Sequence, residues 1–186
     1  MSLWDDLRFH RADTAGRPIL DLFRSGERAR DFSIRADGML FDYSKTAIDA
    51  HARDAGATTV RPAIRLDAAA ADWPIAAADA VFCCNLAHIA PWAATEGLLA
   101  GAARLLPPGG PLVLYGPFRR HGRHTAASNA AFEASLQARD PAWRIRCVDN
   151  ELVPAAARHG LVLDEVAELP ANNLVLVWRR ESLSAA

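Results

Sequence analysis

The chain has 186 residues, 51% of them apolar and 23% charged, with a formal net charge of −1. That length suits one compact domain able to fold without disulfides or metals, and the composition excludes a disordered or collagen-like chain. Balanced charge gives no general attraction to nucleic acid, and no run of about 18 apolar residues could span a bilayer, so neither partner is expected.

The first 40 or so residues read as short helical stretches, Ser2 to Leu7 and Pro18 to Phe23, with a turn at Ser25 and Gly26 and a short strand at Met39 to Phe41. Thr46 to Ala55 suits a helix stopped by Gly56, and Val60 to Leu66 reads as a strand. Asp79 to Asn85 is an apolar run suited to a buried parallel strand. Ala93 to Leu106 is a helix ended by Pro107-Pro108-Gly109-Gly110, and Leu112 to Tyr115 is another buried strand. A helix over Thr125 to Ala138, with Ser128 as an internal cap, and one over Glu151 to His159, closed by Gly160, complete the alternation. Leu161 to Leu169 and Leu174 to Trp178 are strands able to pair antiparallel. This rhythm predicts an open α/β fold, in which ligands sit at the carboxyl ends of strands.

The three cysteines, Cys83, Cys84 and Cys147, are an odd number, and adjacent cysteines do not easily pair. Cys83 and Cys84 read as buried structural thiols without the spaced partners of a zinc site. His121 and His124 have H-x-x-H spacing and no third ligand, so no metal is expected. No basic segment followed by an apolar one opens the chain, and together these readings place the protein in the cytoplasm.

Three strings carry a family resemblance: LDAAAADWP from Leu66, NLAHIAPWAATEGLLAGAARLLPPGGPLVLYGPFRR from Asn85, and LPANNLVLVWRR from Leu169. They resemble, in order, a family of methyltransferase-like proteins with the class I S-adenosylmethionine (SAM) fold, over about residues 46–180. The resemblance implies a Rossmann-like three-layer sandwich, a mostly parallel sheet with an antiparallel C-terminal strand, SAM as cofactor and a small-molecule acceptor. That fold opens with a strand and a G-x-G loop, where glycine removes the Cβ that would obstruct the cofactor. The chain has no such loop. Instead RARDFSIRADGMLFDYSK, from Arg28 to Lys45, resembles the N-terminal segment of glucose-6-phosphate isomerase. The expected organisation is therefore an isomerase-like segment over 1–45 and a methyltransferase-like domain over 46–186.

On that resemblance, Asp67 is expected to accept from the adenine amino group, or else to cap a helix or stand as a solvated loop acid. Asn85 and Leu86 are expected beside the cofactor's methionine end. His88 is either a general base or a hydrogen-bonding side chain in a packed loop. Tyr115, Arg119, Asn172 and Asn173 are expected at the acceptor. Arg119 belongs to a basic stretch able to dock an anion or simply to be solvated, and the two asparagines lie where a hairpin turn is expected. Asp42 ends a short strand and is a weaker candidate for the cofactor ribose. Two other functions remain: a non-catalytic remnant or interaction module, and a sugar-phosphate-binding fragment without isomerase activity.

Overall fold

The structure is a computed structural model that describes residues 64–182 and, earlier in the chain, the backbone of two strands. The chain divides into two compact units, Met1–Ile64 and Arg65–Ala186. In the first, β1 (Ser33–Ala36) and β2 (Met39–Asp42) pair antiparallel across Asp37 and Gly38, a dipeptide that tight hairpins favour. The expected strand at Met39 is present and has a partner that the sequence did not announce. The helices expected over Ser2 to Leu7, Pro18 to Phe23 and Thr46 to Ala55 lie outside the described residues.

The second unit runs β3 (Val81–Cys84), α1 (Trp92–Leu105), β4 (Pro111–Gly116), α2 (Ala127–Arg139), α3 (Val153–Ala157), β5 (Leu161–Leu169) and β6 (Asn173–Arg180). It is a mixed α/β unit on a four-stranded sheet of order β3-β4-β6-β5. β3 and β4 are parallel, and β6 is antiparallel to both its neighbours, so only the last strand is reversed. A register shift between Leu163 and Glu165 bends β5. The expected strand over Val60 to Leu66 is corrected at its described end: Ile64 to Leu66 have no regular structure. Ile64 and Leu66 are 53% and 38% exposed, and a lone strand without an edge to pair with gains nothing from extending.

Alternation along β4 sends Leu112 and Leu114 into the core. There they join Leu174, Leu176 and Trp178 of β6, Leu98, Leu99 and Ala102 of α1, and Ala155 and Ala156 of α3. Each fully buried large side chain contributes about 1.5–3 kcal/mol. A second cluster, Leu136 of α2 with Trp143 and Ile145, packs on Ile89. α1 starts after Pro91 and ends at Leu106, where two prolines forbid a further turn; Gly109 then takes φ +76° as its N–H donates to the Arg180 carbonyl.

α3 is shorter than the helix expected from Glu151. Val148–Leu152 form a π-helical turn instead. The Glu151 carboxylate turns back to accept the Cys147 N–H at 2.8 Å, and Pro154, which has no N–H, sits in the first turn of α3.

Candidate functional site

β3 and β4 are parallel and end together, so their following loops share one edge of the sheet. At the end of β3, Asn85 takes left-handed geometry (φ 60°) and donates its N–H to the Tyr115 carbonyl at 2.9 Å. Its neighbours Leu86–His88 form a 3-10 turn. Leu86 packs against the main core.

His88 is 1% exposed. The Arg146 backbone N–H donates to its Nδ1 at 3.4 Å, which leaves the proton of the neutral ring on Nε2. Burial drives its pKa down to about 3, against a hydrogen bond to the Arg144 backbone that raises it and with the Arg146 guanidinium lowering it further. Nε2 has no hydrogen-bond partner; it lies over Gly116, where a Cβ would come within 3.0 Å of it. Tyr115, the preceding residue on β4, projects to the opposite face of the sheet. His88 and Tyr115 therefore flank the sheet and do not share one cavity.

Tyr115 Oη accepts from Asn173 Nδ2 at 2.9 Å, so the hydroxyl keeps its own proton to donate elsewhere. Burial, then the neighbouring Cys84, raises its pKa against the opposing Asn173 bond. Cys84 is raised by burial, and Cys83 is pushed by burial up to about 11, so both thiols stay protonated.

The hairpin between β5 and β6 turns through Ala171 and Asn172, both with positive φ. Asn129 Nδ2 donates to the Asn172 carbonyl at 3.0 Å, and Asn172 Nδ2 donates to Ser128 Oγ at 3.2 Å. Ser128 thus ties α2 to the hairpin and does not cap the helix. Tyr115, Asn173, Asn172 and the start of α2 form one polar rim, which Asn85 joins through its backbone N–H while its Oδ1 lies on the His88 side.

Asp67 holds its own loop: Oδ1 accepts the Ala69 N–H at 2.9 Å, and no helix follows. Its Oδ2 has no hydrogen bond among the described residues. The basic loop after β4 is largely paired. Arg119 and Arg144 both reach Glu151, at 3.2 and 2.5 Å. Arg120 reaches Asp149 at 3.2 Å, and His121 donates its backbone N–H to the same carboxylate. Burial alone would raise the pKa of Asp149; the His121 N–H and Arg120 outweigh it and hold the group below its usual value. His124 Nε2 lies 2.8 Å from Glu133.

Sequence reasoning missed Arg146. It is 2% exposed, donates to the carbonyls of Ala87, Ala90 and Ala142, and lies over the Trp92 ring at 5.4 Å. It pins the loop that carries Asn85 to His88, across a separation of nearly 60 residues that no local pattern reveals. Asp42 has no described side chain.

Residues 39–180 match the profile of a family described as "Protein of unknown function (DUF938)". The fold is similar to solved O-methyltransferases. One from Nostoc punctiforme PCC 73102, described as putative, is 21% identical with a TM-score of 0.62, over 72% of this chain and 41% of that one. One from Burkholderia thailandensis is 20% identical with a TM-score of 0.56, over 75% and 41%. Human N-acetylserotonin methyltransferase in complex with SAM is 13% identical with a TM-score of 0.55, over 64% and 33%. At these identities the likeness shows the fold alone. A stretch of 52 residues is 54% identical to glucose-6-phosphate isomerase of Cereibacter sphaeroides (strain ATCC 17025 / ATH 2.4.3), and spans 28% of this chain and 10% of the isomerase. Among the described residues, no helix is long and apolar enough to cross a membrane.

Proposed function

We propose a function from one premise: the chain belongs to the DUF938 family, whose profile it matches over most of its length. The reading supported best is a SAM-dependent methyltransferase-like protein of the cytoplasm, with a small-molecule acceptor. The observation that carries it is the polar rim of Tyr115, Asn172 and Asn173 at the carboxyl ends of parallel strands, where an open α/β sheet takes its ligand.

The residues present fit one end of the cofactor. Asp67 would accept from the adenine amino group through Oδ2, while Asn85 and the backbone of Leu86 would line the neighbouring wall. When bound, the cofactor supplies an electrophilic methyl group on a sulfonium. Tyr115 would donate a hydrogen bond from its hydroxyl to the acceptor, with Asn173 holding that hydroxyl in place. Arg119 sits where an anionic part of the acceptor would reach. His88 acts as a positioning residue, because a buried neutral imidazole on the other face from Tyr115 has no proton-acceptor nitrogen free.

A second reading, a non-catalytic interaction module, is favoured by one feature: no two of the chain's 11 glycines have G-x-G spacing, so the glycines that would cradle the cofactor's amino-acid end are absent from the sequence. On either reading the isomerase-like segment stands in the sequence, up to about residue 45, where the first strand of that fold would be expected. Calorimetric titration with S-adenosylhomocysteine tests the choice. Saturable binding is expected; a folded protein that releases no heat supports the module. Glucose 6-phosphate is expected to leave the melting temperature unchanged, since the isomerase-like stretch is a tenth of an isomerase.

A further inference from the structure

Around the loop that follows β4, five guanidiniums gather: Arg119, Arg120, Arg123, Arg144 and Arg146. Among the described residues two carboxylates answer them, Glu151 for Arg119 and Arg144, and Asp149 for Arg120. Glu133, the other carboxylate nearby, is engaged by His124 and by the Ile145 N–H. Arg146 satisfies itself on carbonyl oxygens, which carry no net charge.

The excess of positive charge is felt within the cluster. Burial lowers the pKa of Arg146 most, and the neighbouring Arg144 and Arg119 lower it further against Glu151 and Glu133. One donor is left over in a place where water does not reach: Arg119 Nε is buried and has no hydrogen-bond partner, although the other end of the same guanidinium holds Glu151. Arg123 is exposed, and its side chain has no partner among the described residues.

We propose that the Arg119 to His124 loop, with Arg144 behind it, is a binding site for a small oxyanion group, a carboxylate or a phosphate. Arg119 Nε supplies the buried donor and Arg123 closes over the group from solvent, the forked geometry that guanidiniums offer to oxygen pairs. The loop runs from the end of β4 to the start of α2, whose Ser128 and Asn129 are bonded to the hairpin rim. An anion held here belongs to the same ligand as the group at Tyr115. That last assignment, to the acceptor, rests on the function proposed above.

Thermal unfolding of the full chain tests the site, with succinate, inorganic phosphate and neutral succinamide compared at one ionic strength set by sodium chloride. Succinate or phosphate is expected to raise the melting temperature saturably, by about 3 °C for each kcal/mol of binding free energy. Whichever of the two acts at the lower concentration identifies the oxyanion. Succinamide is expected to do nothing. Arg123→Ala, at an exposed position with no partner to lose, is expected to abolish the shift while leaving the unliganded melting temperature in place. No shift with either anion, an equal shift with succinamide, or a full shift in Arg123→Ala would overturn the proposal. An anion effect in a protein that ignores S-adenosylhomocysteine keeps this site and removes the methyltransferase reading; the reverse pattern does the opposite.

Discussion

His88 carries two testable consequences of its burial. Its pKa falls from the ordinary 6.5 to about 3 in the folded chain, so on acidification the unfolded chain takes up a proton that the folded one refuses. Stability is therefore full above about pH 6.5 and declines as pH drops toward 3, by up to about 1.4 kcal/mol per pH unit from this residue. Urea unfolding at pH 7 and pH 5 is expected to show the loss, and His88→Asn is expected to shrink the difference. The second consequence lies at Gly116, where a Cβ would meet the imidazole and approach Asn85 Oδ1. The ring is fixed by the Arg146 amide, so Gly116→Ala is expected to cost about 1–3 kcal/mol in urea unfolding. The histidine itself was visible in the sequence. Its role depended on the backbone amide that meets it, which comes from a residue 58 positions away.

At the scale of elements, α1 and the hairpin make opposite use of small residues. Gly97 and Gly101 lie one turn apart on α1, and an added Cβ would come within 3.0 Å of the Ala68 carbonyl at the first and of the Trp73 ring at the second. An exposed helical Gly→Ala change ordinarily gains about 1 kcal/mol. Here Gly97→Ala is expected to lose stability, because the backbone of Ala68 cannot step aside as a flexible side chain would. In the hairpin, Ala171 takes φ 63°, a left-handed conformation that costs a residue with a Cβ about 1 kcal/mol. Ala171→Gly is expected to raise stability by up to about that amount, less the extra entropy of glycine in the unfolded chain; chemical denaturation measures both changes. Helix and strand placement was legible because the signals are local: Pro107 to Gly110 stop α1, and Gly160 separates α3 from β5. The strand expected over Val60 to Leu66 failed in its described part for the complementary reason, since a strand exists only if an edge is there to pair with.

For the whole molecule, the described sheet stops at β3, whose Phe82 is 68% exposed. Phe82→Ser is expected to change unfolding free energy by no more than about 0.5 kcal/mol, as for other exposed positions. A loss several times larger would mean that chain outside the described residues covers the ring.

The sequence by itself determined the alternation of helix and strand from Asp79 onward and carried, in long strings, the resemblance to the family whose profile it matches and a short resemblance to glucose-6-phosphate isomerase. These are written in periodicity, turn residues and long matching strings, all of them local. Only the tertiary structure decided what the candidate residues do. It put His88 and Tyr115 on opposite faces of the sheet, gave Asp67 to its own loop, and set Asp149 and Glu151 against a basic stretch that looked free. Charge pairing and burial are relations between distant segments, and their physical cause is the packing of the sheet's carboxyl edge, which no window of the sequence contains.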